Sequence, residues 1–215
     1  MTTLPVLCVA VTGHRPNQIA ASQWTRIRRE VTAILEAIEN VSGKSRRVLN
    51  SSLAEGADRV VTAIAVKRGW SVHVVLPFGL ARYARDFSTK PSKAALARQV
   101  KAADKVTMID GERLEQKIDS DAPYAEAGRV LISNADITIC IWNGAPPKGP
   151  GGTAEVAALS LARGGLVIWI PAIKGGAHLI APARPPRAGS RKRKLFDALS
   201  ARFGQVQQPP EMRCA

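Results

Sequence analysis

DITICIWNGAPPKGPGGTAEVAALSLARGGLVIWI (136–170) decides the fold. DITICIW (136–142) is a short run rich in β-branched residues, the composition of a strand. GGTAEVAALSLARGG (151–165) is helical in length and content and is bounded by glycines. LVIWI (166–170) is again continuously apolar and stops at Pro171. Strands alternating with helices of this length indicate a parallel sheet, whose crossovers are right-handed.

The same alternation extends toward the N-terminus. VLCVAVT (6–12) is a strand ending at Gly13. SQWTRIRREVTAILEAIE (22–39) places Trp24, Ile27, Val31, Ile34, Leu35 and Ile38 at helical spacing, with Ser22 as N-cap. RRVLNSS (46–52) and SVHVVLPF (71–78) read as strands around the helix GADRVVTAIAVKRG (56–69). Residues 80–125 are less regular: a helix near 93–103, a short strand KVTMID (105–110), and then the helix YAEAGRVLISNA (124–135). The expectation is an α/β, Rossmann-like, doubly wound and mainly parallel sheet of about six strands, with helices on both faces.

Composition agrees. The 215 residues are 46% hydrophobic and 22% charged, with 17 Gly and 14 Pro, which excludes collagen, coiled coil and wholesale disorder. No apolar run reaches the ~18 residues of a membrane span, and no signal peptide is readable. Cys8, Cys140 and Cys214 cannot all pair, and the first two sit in apolar runs, so the expected state is reduced and cytoplasmic. The net charge is +14. Residues 171–215 carry nine basic and two acidic side chains, against 22 and 15 in the first 170. The reading is therefore a nucleotide-binding domain over 1–171 and a basic Pro/Gly/Arg-rich extension over 172–215. The extension has one weak amphipathic helix near 194–203, and ARPPRAGSRKRK (183–194) reads as a solvated arm.

In open parallel sheets ligands bind beyond the carboxyl ends of the strands. Three such ends carry glycine with small polar residues: TGHRP (12–16), SSLAEGAD (51–58) and WNGAPPKGPGGTAE (142–155). Glycine turns that run into a helix offer unpaired N–H groups and a positive dipole end to an anion. Gly149, Gly151 and Ala154 also fit G-x-G-x-x-A. A dinucleotide site of that kind wants an acidic residue about 20 positions further on. After Glu155 none occurs before Asp197, so ordinary NAD binding is set aside.

TGHRP, SSLAEGADRVVTAIAVKRG and AGRVLISNADITICIWNG…GPGGTAEVAALSLARGG together resemble the SLOG superfamily over about residues 5–171. That group contains the DNA-processing protein A family, the LOG phosphoribohydrolases and the nucleotide-sensing SLOG domains, to which the likeness is nearest. The resemblance implies a Rossmann-like fold and a pocket for a nucleotide or nucleotide-derived ligand. It implies phosphate or ribose contacts at Gly13, Arg15, Ser52, Gly151, Gly152 and Thr153, with Glu55, Gly56 and Asp58 framing the pocket. Arg15 is suited to clamp a phosphate. His14 is either a proton carrier or a surface residue, and Trp142 either stacks on a base or packs in the core. Glu55 and Asp58 are equally suited to the dipole of the helix they open. No Cys/His/Asp cluster has metal spacing.

Three functions follow. The preferred one is binding without turnover, by a sensor or regulatory module with no cofactor, as a homodimer or beside an effector protein. The second is LOG-like cleavage of the base–ribose bond, for which Glu155 and Arg129 are the catalytic candidates. In the LOG motif P-G-G-x-G-T-x-x-E the glutamate stands three residues after the threonine, whereas Glu155 stands two after Thr153, a rotation of about 100° on a helix. The third is single-stranded DNA binding, favoured by charge and disfavoured by an aromatic content of 5%.

Overall fold

All six apolar runs fold as strands. The computed structural model describes residues 4–109, 121–146, 150–180, 182 and 184–206. The strands are β1 (Val6–Gly13), β2 (Arg46–Ser51), β3 (Ser71–Leu76), β4 (Lys105–Met108), β5 (Ile137–Trp142) and β6 (Leu166–Pro171). Between them lie helices α1 (Trp24–Ser42), α2 (Ala57–Lys67), α3 (Leu80–Tyr83), α4 (Lys90–Lys101), α5 (Ala122–Ile132) and α6 (Thr153–Ala162). The chain then adds β7 (His178–Ile180), α7 (Arg191–Phe203) and β8 (Gln205–Val206). The sheet therefore has eight strands, in the order β4-β3-β2-β1-β5-β6-β7-β8, and only the β6–β7 pair is antiparallel.

Side chains of successive strand residues leave opposite faces, so both faces need cover. Leu7, Val9 and Val11 of β1 join Ile137, Ile139 and Ile141 of β5 in one cluster beneath α1 and α2. The α1 residues Ile27, Val31, Ile34, Leu35 and Ile38 are all wholly buried there. Burial of such side chains is worth roughly 1.5–3 kcal/mol each, which is why this stripe fixes the helix on the sheet. On the opposite face Ala10 and Val75 meet α5, while Cys140 and Val167 meet α6. Cover on both sides explains why every residue of β5 is buried.

Local differences have local causes. Ser22 does not cap α1: it lies in a 3₁₀ turn (Ala21–Gln23), and Gln23 occupies the cap position without a side-chain bond to the helix backbone. The basic segment beyond 171 is not a free arm where it is described. Leu195, Phe196 and Leu199 of α7 are buried in the α1 cluster, and Ser190 caps the helix by accepting from the Arg193 N–H. Arg191 donates to both carboxylate oxygens of Asp136 at 3.0 and 3.2 Å. Cys8 and Cys140 are free and buried. Cys214, Asp110 and Gly149 lie outside the described residues. Among the described residues, no helix is long and apolar enough to cross a membrane.

Candidate ligand site at the β1–β5 rim

β1 is flanked by β2 on one side and β5 on the other, so the strand order reverses at the β1–β5 pair. A crevice is expected beyond the carboxyl ends of these two strands. A cavity of about 580 Å³ opens there, within the size range of small-molecule sites. It is lined from the loops after β1, β2 and β5, along one face of α5, by the first turn of α6, and by Tyr83.

The β1 loop is drawn tight. A Cβ on Gly13 would collide with the Cβ of Ala57 and stand 2.7 Å from the Ile141 carbonyl oxygen, so only glycine lets α2 approach β1 and β5. The His14 N–H donates to the Ile141 carbonyl at 2.8 Å, and its own carbonyl accepts from the Ala57 N–H at 3.2 Å. His14 Nε2 accepts from the Asn143 N–H at 3.3 Å, which assigns the ring proton to Nδ1. The imidazole thus ties the β1 and β5 loops together at the cavity.

The β5 loop supplies an anion-binding helix start. Gly151 holds φ +77°, and a Cβ there would stand 2.8 Å from the Tyr124 backbone, so only glycine fits. Gly152 is the N-cap of α6 and offers no capping side chain. The first helical bond runs from the Val156 N–H to the Gly152 carbonyl at 3.0 Å. The N–H groups before Val156 therefore have no partner inside the helix, and Gly152, Thr153 and Ala154 line the cavity. Thr12 Oγ1 stands 3.5 Å from Thr153 Oγ1.

The β2 loop brings a buried carboxyl. Leu53 takes φ +55°, a left-handed conformation that side chains avoid, and it is held there because its side chain is wholly buried. This turn directs the Ala54 N–H to Asp58 Oδ2 at 3.4 Å, with the Ser52 N–H adding a second contact. Ser52, Ala54 and Asp58 all line the cavity. Burial pushes the Asp58 carboxyl up to about 7, against the pull of the Ala54 and Ser52 N–H groups and of Arg15 and Arg59.

Across the mouth, Arg15 donates to the Asp86 carbonyl at 3.2 Å and its carboxylate at 3.4 Å. Tyr124 donates its hydroxyl to the same carboxylate at 2.8 Å. Burial first, and then that bond to Asp86, push the Tyr124 phenol upward. Arg15, with 43% of its side chain exposed, stays open to a ligand.

Of the residues singled out from sequence, Gly13, His14, Arg15, Ser52, Asp58, Gly151, Gly152 and Thr153 share this one cavity. Trp142 also borders it, but the residue is 1% exposed and its ring packs 5.4 Å from that of Trp169. That ring has no free face to stack on a base. Glu55 pairs with Arg59 at 4.0 Å and Gly56 caps α2; neither lines the cavity. Glu155 accepts the Gly151 N–H at 2.6 Å, which bends its carboxylate back onto its own loop and away from the cavity lining. Arg129 pairs with Glu126 at 2.8 Å and is half exposed, outside the cavity. The catalytic pair is therefore not assembled. Tyr83, readable from sequence only as lid or scaffold, belongs to the lining, as do Tyr124 and Asn143, which were not singled out. The signal for Tyr124 was its place in the first turn of a helix leading into β5, because such turns share the rim with the strand ends. Among the described residues, no group of three His, Cys, Asp or Glu side chains gathers to hold a metal ion.

No family model and no curated protein matches the chain. Solved structures do resemble it. DNA processing protein A from Streptococcus pneumoniae is 18% identical with a TM-score of 0.54; the match covers 97% of this chain and 60% of that one. The Helicobacter pylori DNA processing protein A, described for its single-stranded DNA binding mode, is 15% identical with a TM-score of 0.52, covering 93% and 75%. The present chain thus spans well under two thirds of the pneumococcal structure. At such identities the likeness is one of fold, and it is the fold that the SLOG resemblance implies: over the matched span the chain shares an α/β, Rossmann-like fold with these structures.

Proposed function

We propose that the protein binds a nucleotide or nucleotide-derived small molecule across the β1 and β5 loops, as a sensor or regulatory module. One observation carries this: the uncapped first turn of α6 and the guanidinium of Arg15 line a single cavity at the strand-order reversal. Helix N–H groups and a planar guanidinium are both anion ligands, and a phosphate suits the two together. With Glu155 engaged on Gly151 and Arg129 on Glu126, binding rather than hydrolysis is the reading the side chains favour. Any ligand of the native state raises its melting temperature by mass action. AMP, ADP, ATP and ADP-ribose at millimolar concentration form the test panel. A rise with at least one, reduced in Arg15→Ala, supports the proposal; a melting temperature unmoved by all four rejects it.

Single-stranded DNA binding is the second reading, favoured by the net charge of +14 and by the fold shared with DNA processing protein A. Phosphate-backbone binding weakens steeply with salt. An oligonucleotide affinity indifferent to salt rejects this mode.

A further inference from the structure

The cavity is chemically mixed. The α6 first turn, with Thr153 and the adjacent Thr12, and the guanidinium of Arg15 are all suited to an anion. The β2 loop contributes Asp58, the one carboxylate among the described lining residues. Asp58 is 4% exposed, and its recorded backbone bond is long, 3.4 Å to the Ala54 N–H. Two backbone N–H groups leave a carboxylate with unused acceptor sites, since an ionised carboxylate offers about four. The strained Leu53 fixes this arrangement, and backbone strain held by packing is concentrated at ligand sites.

Resting on the reading above, we infer that Asp58 is a specificity-determining residue: it accepts hydrogen bonds from hydroxyl groups on a ligand whose anionic end sits at α6, so the site selects sugar phosphates over bare anions. A buried carboxylate without a matching donor is costly, and a hydroxyl that supplies one is rewarded. An anion brought near Asp58 without a donor sets like charge against its carboxylate.

This arrangement couples binding to protons in opposite senses for the two ligand types. The charged or titratable groups facing Asp58 are Arg15 from the β1 loop, Arg59 on its own helix, Tyr83 from α3 and Cys140 from β5. Burial raises both Tyr83 and Cys140, so neither exchanges protons near neutrality. Near pH 7 Asp58 is about half protonated. A hydroxyl donor favours the carboxylate, so its ligand releases up to about half a proton per site. A bare anion favours the acid form, so its binding takes protons up.

Calorimetric titration of the whole chain at pH 7, in two buffers of different ionisation enthalpy, counts these protons. The probes are ribose 5-phosphate, 2-deoxyribose 5-phosphate and sulfate, a bare dianion with no proton of its own to exchange at this pH. The expected result is proton release with ribose 5-phosphate, proton uptake with sulfate, and at least about tenfold tighter binding of the sugar phosphate, the worth of one hydrogen bond to a charged group. Asp58→Asn keeps an acceptor for the Ala54 N–H and is expected to abolish the proton exchange and most of the preference. Should Asp58→Asn fail to fold, the wild-type proton counts decide alone. Equal affinities with no proton exchange in the wild type overturn the role of Asp58 and leave the nucleotide site standing. If neither the three probes nor the nucleotide panel binds, the site itself is refuted and the role of Asp58 with it.

Discussion

Replacing Asp58 with asparagine isolates the energetic cost of a carboxyl kept in the wall of the cavity. In the unfolded chain this group ionises at its ordinary value of 3.8; in the folded chain it does so at about 7. The folded state therefore holds on to a proton that the unfolded state has lost, so stability falls as pH rises between these limits. Below about pH 4 the carboxyl is neutral in both states and costs nothing; above about pH 7 the full penalty applies. Three pH units at about 1.4 kcal/mol each give roughly 4 kcal/mol, an order-of-magnitude figure for a wholly buried group. Glu39, held below its usual range chiefly by its bond to Arg68, contributes in the opposite direction in both proteins and cancels in the comparison. Urea unfolding of wild type and Asp58→Asn at pH steps from 4 to 8 measures the difference. The variant is expected to gain on the wild type steadily from pH 4 to 7, by several kcal/mol, and no further above that. A difference that stays constant with pH would refute the assignment of a neutral, buried carboxyl.

Gly13→Ala is expected to cost on the order of 1–3 kcal/mol, because its Cβ strikes Ala57 and Ile141, and to abolish ligand-induced thermal stabilisation. Chemical denaturation and thermal shift check both. Phe196→Ala is expected to lose about 3 kcal/mol in denaturant unfolding, as removal of a buried ring in the α1–α7 cluster does; a loss below 0.5 kcal/mol would mean that α7 does not dock. Arg129→Ala removes only a surface pair, so stability stays within about 0.5 kcal/mol and ligand stabilisation is unchanged. Arg15→Ala leaves the fold intact and weakens phosphate-bearing ligands about tenfold in a calorimetric titration.

The alternation of apolar runs with helical stripes was legible because burial on both faces leaves β5 no exposed positions, and because Ile27, Val31, Ile34, Leu35 and Ile38 mark one face of α1 without ambiguity. The last two strands were not legible. β7 has only three residues and β8 two, too short for any period, and their pairing depends on the contact of α7 with α1, which is tertiary. The basic residues of 183–194 disguised that docking, since Leu195, Phe196 and Leu199 follow directly after four cations. At the site, the glycines were readable from their place after strands. The side chains were less so. Trp142, Glu155 and Arg129 each had a plausible role by position, yet each is turned elsewhere by a partner that only the folded chain supplies: Trp169, the Gly151 N–H and Glu126. Asp58 could be placed near the pocket from sequence, but its burial depends on the left-handed turn at Leu53, and nothing in the local pattern announces that turn.

Amide chemical shifts recorded while the protein is titrated with AMP test the rim directly, because they locate a ligand residue by residue. The expected result is saturable shifts concentrated at Gly13, Gly151, Gly152 and Thr153, with α7 silent. Shifts confined to Arg191–Phe203, or to the opposite ends of the strands around Arg46 and Lys105, would contradict a ligand held where β1 and β5 part.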